Sequence, residues 1–104
     1  AWNKLMDLRK QYHLEVEGYD AVLIPTSPIL PPKIGQLMDD GDFYNSQNLM
    51  ALRNTRIGNL MGGCSITLPT DIPSCGFLIM GRPNEEERLL RLAQACDLVL
   101  ARNR

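Results

Sequence analysis

One histidine, His13, and three cysteines, Cys64, Cys75 and Cys96, are all the imidazole and thiol metal ligands this sequence has. No two cysteines form a CxxC pair, and a zinc site needs about four suitable ligands, so neither a metal nor another cofactor is expected. An odd cysteine count without a secretory signal favours reduced thiols and a cytoplasmic setting. Charge of one sign is also missing: 11 Lys and Arg stand against 12 Asp and Glu, a net charge of -1. That leaves no electrostatic grip for a nucleic-acid backbone, so no direct nucleic-acid partner is expected. No apolar run approaches the roughly 20 residues that span a bilayer, so no membrane partner is expected. The first stretch, "AWNKLMDLRK", is charged and periodic, unlike a signal peptide. It begins with Ala1 and not Met, and the chain is read as cut from a longer one. There is no internal repeat and no linker, so residues 1–104 are expected to form a single domain with one modest core.

What is present reads as alternating helices and strands. Residues 2–17 carry Leu5, Leu8 and Tyr12 on one stripe with Trp2 and Met6 beside it, a helix that Gly18 would end. His13, four residues after Arg9, reads as a half-exposed helix residue or as a general base. Ala21 to Ile24 form a short apolar run between Asp20 and Pro25, the pattern of a strand buried on both faces. Four of the seven prolines follow, at positions 25, 28, 31 and 32, and make the next segment stiff and extended. Thr26 and Ser27 sit where a strand ends, a place that holds ligand-contacting groups in α/β sheets or hydroxyls that satisfy turn backbone. "LMDDGDFYNSQ" reads as a surface loop. Its Asp39, Asp40 and Asp42 hint at a calcium loop, but the twelfth position from Asp39 is Met50 and not glutamate, which excludes an EF-hand.

"SQNLMALRNTRIGNLMGG" is helical, with Leu49, Leu52, Arg56 and Leu60 on one side and a break expected near Gly58. Gly62-Gly63 should terminate it. "CSITLP" and "CGFLIMG" are strands joined by the turn "TDIPS". Residues 82–104 form the clearest helix. Asn84 is its expected N-cap with Glu87 three residues on. Leu89, Leu92, Ala93, Cys96, Val99 and Leu100 form its core stripe, and Arg88 and Arg91 are placed to pair with the glutamates. The glycines around Cys64-Ser65 carry no complete catalytic device. A P-loop needs Gly-Lys-Ser/Thr, and a nucleophile elbow needs Gly-x-Ser-x-Gly between strand and helix. Here Ser65 stands between helix and strand without the second glycine. A Cys64–His13 pair would need a tertiary contact.

"YDAVLIPTSP", "NTRIGNLMGGCSITLPT" and "LIMGRPNEEERLLRLAQACD" together resemble the closing segment of the amidase signature family, which includes simple amidases, allophanate hydrolases and the A subunits of tRNA-dependent amidotransferases. The order and spacing match over roughly residues 19–100. The resemblance implies an α/β fragment of the amidase-signature fold, with the order α-β-loop-α-β-β-α and a small mixed sheet. It implies a parent enzyme that cleaves a carboxamide C–N bond with a serine of a Ser–cis-Ser–Lys triad. The Gly-Gly-Ser-Ser-Gly-Gly-like run that carries those serines is absent, and Lys4, Lys10 and Lys33 are the only lysines, none in the family's lysine context. The chain therefore holds no catalytic residue and is expected to be inactive alone. Its expected partners are a missing N-terminal part and, in the complete enzyme, a small amide substrate. Thr26, Asn54, Thr55 and Asn59 would wall the substrate cleft, or simply bond backbone. "LPTDIPSCGFLIMG" is shorter than in many relatives. The alternative of a different class is a non-catalytic binding or assembly module that keeps the fold and forms a homo-oligomer.

Overall fold

The computed structural model describes residues 1–102. Its centre is a three-stranded sheet in the order β1-β3-β2, with β1 at Val22–Pro25, β2 at Cys64–Pro69 and β3 at Gly76–Gly81. Both pairings are antiparallel, with Leu23 opposite Ile79 and Ile66 opposite Ile79 from the other side. The expected mixed sheet is thus corrected. A short turn after Thr70 brings β3 back along β2, and β1 then adds to the free side of β3 running against it.

The strand buried on both faces is β3, not the Ala21–Ile24 run. Leu78, Ile79 and Met80 are consecutive and all buried, and Ile79 has no exposure. A central strand has neighbours on both sides, whereas β1 is an edge and leaves Leu23 54% exposed. One sheet face carries Cys64, Ile66, Leu68, Phe77 and Ile79. It packs against Leu89, Ala93, Leu92, Cys96 and Leu100 of the last helix, α5 (Glu86–Ala101). Val99, expected in this stripe, points outward and is 54% exposed. On the other sheet face lies α4 (Arg53–Met61), with Asn54 and Gly58 buried one turn apart. A Cβ on Gly58 would stand 2.9 Å from Ser65 Oγ and 3.3 Å from Met80 Sδ. Gly58 therefore marks a close approach of helix to sheet and not a break. The break falls earlier, at Leu52, between α3 (Gly41–Ala51) and α4.

Three further readings change. "LMDDGDFYNSQ" is helical: α2 (Ile34–Asp39) ends in it, and α3 begins after Asp40, whose carboxylate accepts from the Phe43 N–H at 3.1 Å. The acidic run that suggests a loop is in part an N-cap. Asn84 does not cap α5. It has φ 64, the left-handed conformation asparagine tolerates, and the cap position falls to Glu85 without a side-chain bond. The first helix, α1 (Trp2–Glu15), closes at Val16, whose N–H bonds Tyr12 O, so Gly18 is not its stop. Gly62 is the stop of α4, as its position suggests: φ is 75, and its N–H bonds Asn59 O at 3.3 Å. Gly62→Ala should cost about 1–2 kcal/mol, the penalty for a side chain in this region, read as a lower urea midpoint.

α1 is held by polar contacts more than by burial; none of its residues is buried. Arg9 Nε donates to Leu60 O at 2.6 Å, and His13 Nε2 donates to Met61 O at 3.2 Å. Two basic side chains four residues apart therefore satisfy the free carbonyls at the negative end of α4. Arg82 donates to Glu17 O and to Tyr19 O and ties the α1–β1 connection down. Arg88 pairs with Glu85 and Asp20, and Arg91 with Glu87, all at the surface. Burial raises Tyr12 above its ordinary 10.0. Its folded pKa exceeds the unfolded one, so this stability is present below about pH 10 and is lost as pH rises through the folded value. Alkaline loosening above pH ~10 should shrink in Tyr12→Phe, read by far-UV circular dichroism.

Candidate functional site

The candidate site lies at the C-terminal end of β1, where the sheet meets the proline-rich segment. The first turn of α4 points Asn54 at this end. Asn54 is the single buried polar residue among those described, 8% exposed. Its Nδ2 donates to Pro25 O at 2.8 Å, and its Oδ1 accepts from Arg53 Nε at 3.4 Å. The ladder runs past Pro25 to the next residue, and the asparagine amide takes up the Pro25 carbonyl. The next residue, Thr26, donates its N–H to Gly76 O at 3.1 Å. Its hydroxyl makes a long contact of 3.3 Å with the Thr67 hydroxyl. Thr26 on β1's extension and Thr67 on β2 can meet because Gly76, between them, has no side chain. A Cβ there would stand 2.7 Å from Thr26 Oγ1 and 2.9 Å from Thr67 Cγ2.

The structure brings Thr26 and Asn54 together and leaves the other two expected wall residues apart from them. Thr55 donates its hydroxyl to Leu52 O at 3.2 Å, within its own helix start. Asn59 is exposed on the outer side of α4. Two members of the cluster escape the sequence reading. Thr67 looks like any outward residue of an alternating strand, and Gly76 like a strand boundary. Beyond Thr26 opens a shallow groove lined by Ser27, Pro28, Ile29, Ser74 and Cys75. Ser27 Oγ accepts from the Ile29 N–H at 3.4 Å. Across the groove, Thr70 Oγ1 donates to Cys75 O at 2.6 Å and accepts from the Ile72 N–H at 3.2 Å, fixing the turn.

The chemistry this arrangement offers is positioning. It presents hydroxyl and amide groups that orient a neighbour. His13 is engaged at Met61 O and the Cys64 thiol at Arg82 O, 3.2 Å away, so neither bonds the other. Among the described residues no group of three or more His, Cys, Asp or Glu side chains converges. Asn54→Ala should leave Pro25 O without its donor and cost about 1–3 kcal/mol, measured by urea unfolding. Thr55→Ala should fall within about 0.5 kcal/mol of the parent.

Comparison with known proteins gives this geometry its context. A 2-amino-5-chloromuconic acid deaminase from Comamonas testosteroni is 32% identical over 88 residues, covering 81% of this chain and 19% of that protein. The A subunit of glutamyl-tRNA(Gln) amidotransferase from Thermotoga maritima is 32% identical over 104 residues, covering 92% of this chain and 21% of its own length. The same protein from Saccharolobus solfataricus is 38% identical over 68 residues, 62% of this chain and 13% of its own. Over most of its own length the chain is thus similar to a deaminase and to amidotransferase A subunits. It spans about a fifth or less of the length of these relatives. No family model matches the chain, and no solved structure matches it. No helix among the described residues is long and apolar enough to cross a membrane.

Proposed function

We propose that this chain is the C-terminal part of an amidase-type hydrolase that cleaves carboxamide C–N bonds with a serine nucleophile lying outside residues 1–104. The carrying observation is that its relatives include a deaminase and amidotransferase A subunits, while it corresponds to a small part of each. In the complete enzyme the serine attacks the amide carbonyl, ammonia or an amine leaves, and water releases the acyl group. The role of this part is to complete the sheet and wall the substrate cleft. Asn54 and Thr26 hold the start of the proline-rich segment at the groove, and Thr55 and Asn59 are the weaker members of the wall.

The shape of the molecule supports a part that packs on something larger. Its radius of gyration is 16.1 Å and its extents are 46 × 44 × 18 Å. A compact chain of this length has a radius of about 13 Å. The reading frame upstream of Ala1 tests the proposal. It should encode a glycine- and serine-rich run with a lysine further upstream, and a start codon immediately before Ala1 would overturn it in favour of a self-standing module.

A further inference from the structure

The groove beyond Thr26 is walled on one side by Ser27, Pro28 and Ile29 and on the other by Ser74 and Cys75. Its volume is about 180 Å³. A cavity of about 150 Å³ takes a benzene ring, so a group of about six carbons fits here. No Asp, Glu, Lys, Arg or His lines the groove. Lys33 and Asp71, the charged residues nearest to it along the chain, stay outside it. What the lining offers is apolar surface at Pro28 and Ile29, with one hydroxyl on each wall. Ser27 Oγ accepts from the Ile29 N–H at 3.4 Å, which leaves its own proton free to donate. The Ser74 hydroxyl bonds nothing among the described residues.

The backbone singles out Ser74 as well. Its φ is 63, in the left-handed region that a serine enters only at a cost. The turn holds it there from both sides. Thr70 Oγ1 donates to Cys75 O and accepts from the Ile72 N–H, and the Cys75 N–H returns to Ile72 O at 3.2 Å. Backbone kept in such a region by its surroundings is common at ligand clamps. Resting on the amidase reading above, we infer that this groove takes an uncharged, mainly apolar end of the amide substrate, with Ser27 and Ser74 as specificity-determining residues. An ammonium or carboxylate on that end would leave water and meet no opposite charge. A neutral chain gives up no such hydration and gains the Pro28–Ile29 surface.

The test is kcat/KM for ammonia release by the product of the uninterrupted reading frame. The probes are three amides of equal length, hexanamide and its analogues that end in an ammonium or a carboxylate. Hexanamide should exceed each charged analogue by about tenfold or more. Ser74→Asp puts a carboxylate in the groove, and aspartate tolerates the left-handed region. It should raise the ammonium analogue relative to hexanamide by about tenfold, as close opposite charges attract strongly away from bulk water. Ser27→Asp, on the opposite wall, should move the ratio the same way. Ser74→Asn, of the same shape without the charge, should leave the ratio near the parent's. A parent that prefers a charged analogue, aspartate variants that leave the ratio unmoved, or an asparagine variant that moves it equally would each overturn the inference alone. So would ammonia from other carboxamides but from none of these three. Ammonia from no carboxamide at all would overturn the amidase reading and this inference with it.

Discussion

Gly63→Ala is expected to lower stability by about 3 kcal/mol, at the upper end for forcing extra atoms into a packed site. A Cβ on Gly63 would stand 2.4 Å from Gly81 O, and the obstacle is backbone. That carbonyl closes β3 opposite Cys64, and the strand behind it is buried through Leu78, Ile79 and Met80. Neither side can retreat without breaking the ladder or lifting the sheet from α5. Gly58→Ala is the informative contrast. Its obstacles are Ser65 Oγ and Met80 Sδ, both movable side-chain atoms. Alanine also gains about 0.5–1 kcal/mol in a helix interior, so the net change should be near zero. Urea midpoints of the two variants should differ clearly, and equal midpoints would show that the Gly63–Gly81 approach is not as close as described.

Ile79→Ala should have the other large effect, about 3–4 kcal/mol. Ile79 is fully buried at the centre of the sheet, against Leu68, Leu89 and Ala93. The described core has only six buried apolar residues, so little can collapse into the space left behind. Domains are stable by about 5–15 kcal/mol in total, so a loss this size would remove between about a fifth and four-fifths of the stability. Leu23, opposite Ile79 in the ladder but 54% exposed on the edge, sets the scale. Leu23→Ala should stay within about 0.5 kcal/mol if nothing covers that edge. A comparable loss at both positions would contradict the placement of the core on the α5 side.

Elements with strong local patterns were legible in the sequence. The alternation of Cys64, Ile66 and Leu68, the stripe of α5 apart from Val99, and Gly62 as a helix stop all stand in the structure. Pattern alone failed where tertiary position decides. Val22 to Ile24 and Leu78 to Met80 are both short apolar runs, and only the strand order makes one an edge and the other central. Capping failed for a related reason: Asn84 and Asp40 are both good cap residues, but one takes a left-handed turn and the other caps a helix read as a loop. At the candidate site, Asn54 and Thr26 were legible as residue types at a strand end and a helix start. Their link through Pro25 O, and the space over Gly76 that lets Thr26 reach Thr67, depend on packing and strand pairing between segments far apart in the chain.

The central claim is that this chain shapes an amide-hydrolysing enzyme without supplying its chemistry. The measurement that tests it most directly is ammonia release from a panel of small carboxamides, run on the 104-residue chain and on the product of its uninterrupted reading frame. The account predicts release from the longer product and none from the chain alone. Turnover by the isolated chain, or none by the longer product across the panel, would contradict it.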